Sequence, residues 1–494
     1  MTCQRLLTEK LSRNRPFCLL GAAGTGKTTL IREFAGKFSN FIHLDLDTAV
    51  DRAIFDFESS AMETLKAVGF LKGRELRGKG TLIVLDEIGK CSGAARWVGE
   101  LMGVGAGDWT DGRTGGQADG RTSGQADGRT SGQGDKRTGG QGDGRAGGQV
   151  DGPFIVATSS VLTKQLGALI SLENGLMDPV YLHPFSFEEF LMAMDDNQAL
   201  EAFREVPVPY YAYEKLLNYF HLYTLIGGMP EIISDYAATR HLAQLKKIYE
   251  RASDRFIHGI DILSSSAKSS NLAADVLQNT YPFAATRISY NHFGNLEKGS
   301  REINQAFKTL ESAFLLHLVY PIVSANLPLT PDFSRFPRLH MLDTGLVNYF
   351  SGIQKPLFQS HDMNAIFEGQ IARQVVGQEI LVSENQDGPD RDPLKFWVRS
   401  KIQGKAEVDF VIRHGDLLIP VVVKSGEPGR LRSLHQYIDS APHAYAVRLY
   451  AGKVAVQQCQ TISGKKYYLL NLPYFLAGKI KDHLRGFIRL TDGN

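Results

Sequence analysis

The chain has 494 residues, 43% of them hydrophobic and 22% charged, with a formal net charge of only +2. That length suggests about three domains at ~100–200 residues each, and the composition excludes a disordered chain, while the near-neutral balance requires any basic nucleic-acid surface to be local. Scattered cysteines without CxxC spacing exclude a disulfide framework or a cysteine zinc site and fit a reducing, cytoplasmic setting; no run reaches the ~18 apolar residues of a membrane span, so no membrane partner is expected.

In chain order, Phe17-Cys18-Leu19-Leu20 is an apolar run suited to a buried strand. A glycine-rich turn follows, then a predicted helix from Lys27 to Phe38 with Leu30, Ile31, Phe34 and Phe38 on one face. Strands are predicted at Phe41–Leu46 and Thr81–Leu85, the latter running into Asp86-Glu87. From Asp111 an octapeptide recurs: DGRTGGQA, DGRTSGQA, DGRTSGQG, DKRTGGQG, DGRAGGQV. With Val150 its one large apolar residue, the repeat cannot bury enough surface to offset its ordering entropy; residues 107–152 are expected to be a disordered insertion in a surface loop, where added length costs little. The next strand, Phe154-Ile155-Val156-Ala157-Thr158-Ser159-Ser160, and a fifth, Pro179 to Pro184, complete a mostly parallel sheet.

Beyond Pro184 the periodicity turns helical. Helices are predicted at Phe185–Met194, Tyr210–Ile226, His241–Leu263, Asn271–Leu277, Ile288–Phe293 and Glu302–Leu316, the second ending at Gly227-Gly228-Met229-Pro230. From Phe367 a second α/β unit is expected. It has a helix at Phe367–Val376, strands at Phe396–Arg399, Ala406–Ile412 and Leu417–Val423, a helix at Leu431–Ile438 and a strand at Ala444–Leu449.

Gly21-Ala22-Ala23-Gly24-Thr25-Gly26-Lys27-Thr28 matches GxxxxGK[ST] in full, between a strand and a helix. Its glycines let successive N–H groups turn to one anion at the positive end of a helix. Lys27 is expected to reach the β- and γ-phosphates of ATP, the Thr28 hydroxyl to ligate Mg2+, and Thr29 to extend the binding segment. Asp86, after five apolar residues and beside the P-loop, is the second metal residue; Glu87 is the catalytic candidate that polarises water. Thr158 or Ser159 on the neighbouring strand is a candidate γ-phosphate sensor.

These residues, with Leu85-Asp86-Glu87-Ile88, His183-Pro184-Phe185-Ser186-Phe187-Glu188-Glu189-Phe190, Gly227-Gly228-Met229-Pro230-Glu231, Leu342-Asp343-Thr344-Gly345-Leu346, Glu407-Val408-Asp409-Phe410 and Val423-Lys424-Ser425, give the chain its likeness to a family. It resembles the prokaryotic AAA-type ATPases that end in a restriction-endonuclease-like domain of unknown function. The resemblance implies an α/β multidomain protein: a P-loop parallel-sheet ATPase core over 1–184, a helical lid over 185–265, a winged-helix-like segment over 266–350 and a nuclease-like α/β domain over 360–494. The chain departs from the family in its glycine-rich repeat and in carrying Asn174-Gly175-Leu176 where relatives have a Gly-Arg pair. If that arginine helps neutralise the leaving phosphate, turnover here is slow or needs a partner.

The third departure is in the last domain. Nucleases of this fold converge two acids and a lysine on metal. Asp409 fits the first acid, Lys424 the lysine and Glu368 the helix position, but the second acid's place holds Val422. Glu407, two residues from Asp409, is expected on the same strand face as a substitute. The bland reading of Asp409 and Lys424 is a buried pair joining two strands; in a degenerate domain that still binds nucleic acid or a protein, Lys401, Lys424, Arg430 and Arg432 would instead supply phosphate contacts. Arg287, Lys298, Arg301 and Lys308 are the basic residues of the winged-helix-like segment that bear on DNA binding. Three functions stay open: an ATP-driven switch acting on DNA or a protein partner, an ATP-regulated metal-dependent nuclease, and an ATP-binding scaffold without turnover. AAA-type sites often sit between subunits, so a homo-oligomer belongs to the same expectation.

Overall fold

The computed structural model describes residues 5–492 apart from 8–10, 12–14, 57–58, 77–79, 104–151, 171–174, 360–368, 386–393, 401–405 and 425–430. All but the last residue of the predicted insertion, and Glu368, Lys401 and Arg430, lie outside the described residues.

The first sheet contains β1 (Phe17–Leu20), β2 (Asn40–Asp45), β3 (Thr81–Asp86), β4 (Phe154–Ser159) and β5 (Asp178–Tyr181), all parallel in the order β2-β3-β4-β1-β5. Its helices include α1 (Lys27–Ala35), α2 (Ala61–Leu71), α3 (Ser92–Leu101) and α4 (Lys164–Leu169). Along β3, Leu82 and Val84 pack with Phe34 of α1, while Ile83 and Leu85 face Trp97 and Val98 of α3. Both faces are therefore covered, which is why β3 reads as an unbroken apolar run. The octapeptide repeat falls in the connection from α3 to β4. β4 lies between β3 and β1, and Asp86 at the end of β3 still reaches the P-loop, where Thr28 donates to it.

A helical body follows: α5 (Phe187–Ala193), α6 (Asn197–Arg204), α7 (Tyr213–Ile226), α8 (Pro230–Thr239), α9 (Lys246–Leu263), α10 (Ala267–Thr280) and α11 (Ser300–Ser312). The helix expected at Ile288–Phe293 is not formed. Ile288 N donates to Pro337 O, Arg287 bridges Arg338 antiparallel, and His292 and Gly294 take positive φ, so the stretch runs along a hairpin and then turns. The helix expected to reach Leu316 stops at Ser312, because Leu316–Val319 becomes β6, paired antiparallel with β7 (Arg338–Met341).

After α12 (Thr344–Phe350), α13 (Gln370–Asn385) runs nine residues past the predicted end at Val376. The run 406–412 is not one strand: β8 (Trp397–Val398) pairs β9 (Glu407–Val408), whereas β10 (Phe410–His414) belongs to a five-stranded sheet. That sheet also contains β11 (Leu417–Val423), β12 (Tyr445–Tyr450), β13 (Ala455–Gln460) and β14 (Lys466–Pro473), in the order β10-β11-β12-β14-β13. Helix α14 (Arg432–Ser440) connects β11 to β12, and α15 (Ile480–Asp492) ends the unit. Among the described residues no helix is long and apolar enough to cross a membrane.

Motifs that carried the family likeness pack against one another. Asp343 is the N-cap of α12 and accepts from Leu346 N at 3.0 Å and from Gly228 N at 2.5 Å. A Cβ at Gly345 would lie 2.0 Å from Ile226 O, and one at Gly227, whose φ is +82°, 2.1 Å from Asp343 Oδ1. Ser186 and Glu189 form a capping box at α5, and Phe187 N donates to Glu379 of α13. Tyr223 OH reaches both Phe185 O and Glu379, each at 2.7 Å.

Candidate nucleotide site

The P-loop turns between β1 and α1. Gly24 and Gly26 have φ of +85° and +92°, values that a side chain would strain. Gly26 is the N-cap of α1, so its turn presents backbone N–H groups at the helix's positive end. The Lys27 side chain is only 4% exposed; Nζ donates to Gly21 O (2.8 Å) and Ala22 O (3.1 Å) and lies 3.5 Å from Glu87 Oε1. Thr25 is tied back to Ala22 O, while Ala23, Thr28 and Thr29 line the cavity.

Asp86 is the centre of a hydrogen-bond web. Its Oδ2 accepts from Thr28 Oγ1 at 2.9 Å and lies 3.1 Å from His43 Nε2; its Oδ1 accepts from Thr158 Oγ1. Burial alone would raise this carboxyl, but the bonds from His43, Thr158 and Thr28 outweigh it and hold the group below the ordinary carboxylate range. Asp86 is therefore an anion with two fixed oxygens. Glu87 adopts left-handed backbone geometry (φ 61°), and its N–H donates to Thr158 Oγ1. Its Oε2 accepts from Ser160 N (2.8 Å) and Ser160 Oγ (2.6 Å).

Thr158 thus touches both members of the acidic pair. Ser159 does not reach it: its hydroxyl donates to Val161 O. Alternation explains the split, since neighbours on a strand point to opposite faces. Sequence reasoning missed Ser160 and His43. Ser160 was legible as the next residue on Thr158's side of the strand. His43 sits on the edge strand β2, in register with Val84 two residues before Asp86.

A cavity of about 1010 Å³ opens over these groups, at the upper end of the ~300–1,000 Å³ usual for ligand sites. Its far wall is helical: Pro230 and Glu231 open α8, and Arg251, Arg255 and His258 come from one face of α9. Glu231 Oε1 accepts from Arg251 Nη2 (2.5 Å) and Oε2 from Arg255 Nη2 (2.8 Å). These arginines, spaced four apart on one helix, were also missed; only the fold carries them across to the P-loop.

The groups fit a nucleotide with Mg2+. A side chain at Gly21 would meet Leu182 O at 2.2 Å and those at Gly24 and Gly26 would be strained by positive φ, while Thr28 Oγ1 and Asp86 Oδ2 make an oxygen donor set suited to a hard cation that completes its shell with phosphates and water.

Of the second predicted site, Asp409, Glu407 and Lys424 are described and Glu368 is not. Asp409 Oδ2 accepts from Val423 N at 2.9 Å, and its backbone O accepts from Arg338 Nη1. Arg338 is 1% exposed, stacks 4.2 Å over Phe396 and pairs through Nη2 with Glu407. Glu407 is therefore not a spare ligand beside Asp409: Arg338 holds it at the break between β9 and β10. Lys424 is exposed, Asp409 is half-buried, and Val422 is core. Among the described residues no group of three or more His, Cys, Asp or Glu could hold a metal ion. Arg287, Lys298, Arg301 and Lys308 are exposed around α11 and the β6–β7 hairpin, and Arg432 starts α14.

Family models match three successive stretches: an AAA domain over residues 13–109, the domain of unknown function DUF8612 over 217–357 and the domain of unknown function DUF4143 over 368–474. No curated protein matches the chain. Among solved structures, the Walker-type ATPase PABY2304 of Pyrococcus abyssi aligns with TM-score 0.38 and 13% identity, covering 71% of this chain and 96% of that one. The Aeropyrum pernix ORC1 protein, solved in complex with DNA, aligns with TM-score 0.28 and 10% identity, covering 71% and 90%. The AAA match spans β1, the P-loop and the strand that ends in Asp86-Glu87, so residues 13–109 form part of an ATP-binding AAA-type P-loop ATPase domain.

Proposed function

We propose that this protein hydrolyses ATP with Mg2+ and uses the nucleotide to reposition its helical and C-terminal parts. One observation carries the reading: Asp86 and Glu87 are adjacent, yet their carboxylates have separate partners, Thr28, Thr158 and His43 for the first and Ser160 and Lys27 for the second. Asp86, fixed by Thr28, Thr158 and His43, is the metal-side anion, and Thr28 with Asp86 would hold Mg2+, which neutralises phosphate charge. Glu87, fixed through Oε2 by Ser160, keeps Oε1 facing Lys27 and the cavity to accept a proton from the attacking water. Lys27 exchanges its two carbonyls and Glu87 for the β- and γ-phosphate oxygens.

The arginine missing from the strand-five position has a replacement in this reading. Arg251 and Arg255 of α9 face the P-loop from the same chain and bear on the γ-phosphate. The route outward is short. Glu231 and Pro230 line the cavity, and Gly228 two residues earlier is bonded to Asp343, whose Oδ2 lies 3.5 Å from Gln378 Nε2 of α13. A shift at the α8 start is thereby transmitted to the helix that enters the C-terminal sheet. Nuclease chemistry is disfavoured, because Glu407 is paired with Arg338 and core Val422 stands where the second acid would be.

The test is equilibrium binding of ATP to the full chain and to Lys27→Ala. Loss of at least tenfold in affinity is expected, since the variant removes the charge that meets two phosphates. Unchanged affinity overturns the reading.

A further inference from the structure

The arginine pair over the P-loop is already occupied by a carboxylate of the same protein. Glu231 gives one oxygen to each guanidinium, and all three side chains line the cavity. The pair is close to the phosphate turn: a Cβ built at Gly24 would lie 3.3 Å from Arg255 Nη2 and 3.7 Å from its Nε, and one at Gly26 would lie 3.7 Å from Pro230. Arg255 Nε is buried and makes no hydrogen bond among the described residues, so a donor beside Gly24 is left unmet. Partial burial would raise the Glu231 carboxyl, but the bonds from Arg251 and Arg255 outweigh this and hold it below the ordinary carboxylate range. Glu231 therefore stays ionised at neutral pH.

We propose that Glu231 competes with the terminal phosphate of ATP for Arg251 and Arg255, and so sets how strongly the protein prefers ATP to ADP. The inference rests on the reading of those arginines as γ-phosphate contacts. The geometry supplies the logic. A carboxylate offers one negative charge to two guanidiniums, whereas a γ-phosphate offers more charge and three oxygens, including one for the unmet Arg255 Nε. ATP wins the arginines but must displace Glu231 to do so. ADP, which ends at the β-phosphate, leaves the Glu231 clamp intact. Glu231 is a specificity-determining and positioning residue: it weakens ATP binding in exchange for making the α8 start respond to the third phosphate alone.

The size of the effect follows from exposure. Glu231 and Arg255 side chains are each 38% exposed and Arg251 56%, so solvent screens the pairs and each contributes modestly. Glu231→Gln keeps the side chain's shape and the helix start while removing the charge. It is expected to tighten ATP binding about threefold to tenfold and to leave ADP binding within about twofold.

The experiment measures equilibrium binding of ATP and ADP, each with Mg2+, to four full-length proteins. These are the parent, Glu231→Gln, Arg251→Ala/Arg255→Ala, and the triple variant. Support is a gain for ATP alone in Glu231→Gln that vanishes in the triple variant. The proposal is overturned if Glu231→Gln changes ATP and ADP equally, leaves both unchanged, or keeps its effect without the arginines. If the double arginine variant retains the parent's ratio of ATP to ADP affinity, the γ-phosphate reading of the arginines fails instead. A double variant that loses ATP selectively, beside a Glu231→Gln without effect, removes only the role given to Glu231.

Discussion

Replacing Glu379 by Gln is expected to stabilise the protein at alkaline pH and to flatten its response to pH. Glu379 is 2% exposed, and Oε1 accepts from Phe187 N at 3.0 Å and Tyr223 OH at 2.7 Å. Burial pushes its carboxyl up to about 7 from an ordinary 4.5, and the two hydrogen bonds offset only part of that. A carboxyl whose folded pKa lies above its unfolded one favours the folded state fully below the unfolded value and loses that contribution as pH rises through the folded value. The window therefore runs from 4.5 to about 7, and the gap corresponds to roughly 3 kcal/mol at ~1.4 kcal/mol per pH unit. Gln keeps the accepting oxygen and carries no charge. The parent's own curve is a composite. Buried His183, at about 3, and His483, at about 4, act in the opposite sense, losing stability as pH falls below their ordinary 6.5. The diagnostic quantity is thus the difference between variant and parent, by denaturant unfolding at about pH 4.5 and pH 8. The variant should be more stable by roughly 3 kcal/mol at pH 8 and within about 1 kcal/mol of the parent at the lower pH. A variant less stable than the parent by the same amount at both pH values refutes the reasoning, because the carboxylate would then be a favourable, fully ionised acceptor.

Two further outcomes follow from single contacts. Ser160→Ala removes one of two bonds fixing Glu87 Oε2, so turnover should fall about tenfold through a misplaced base while ATP affinity holds, read by phosphate release beside a binding titration. Arg338→Met keeps the stack on Phe396 but strands Asp409 O and Glu407; because Glu407 is 31% exposed and can rehydrate, the loss should be about 1–3 kcal/mol, read from the denaturant midpoint.

The parallel sheet and its P-loop were legible in the sequence because local rules suffice there. Apolar runs at Phe17 and Thr81 need both faces covered, and GxxxxGK[ST] specifies its own turn. Strand order was not legible: nothing local says that β4 separates β3 from β1. Ser160 was one residue beyond the predicted sensor pair, within reach of the alternation rule. Arg251 and Arg255 were beyond it, since their role depends on how α9 folds back over the P-loop. The second α/β unit misled for a physical reason. Ala406–Ile412 has strand composition throughout, yet buried Arg338 captures both Glu407 and the Asp409 carbonyl and divides the run between two sheets. Tertiary packing overrode propensity there. The same bond to Glu407 removes the residue that sequence spacing offered as a replacement ligand.

In the proposed mechanism Glu87 activates water in a site whose nucleotide contacts lie elsewhere. Phosphate release at saturating ATP and Mg2+, measured for the parent and Glu87→Gln, tests it most directly when ATP affinity is determined in parallel. Parental ATP affinity is expected, with turnover reduced by about 10²-fold or more, the usual contribution of a positioned general base. Glu87→Gln turning over ATP at the parental rate would contradict it.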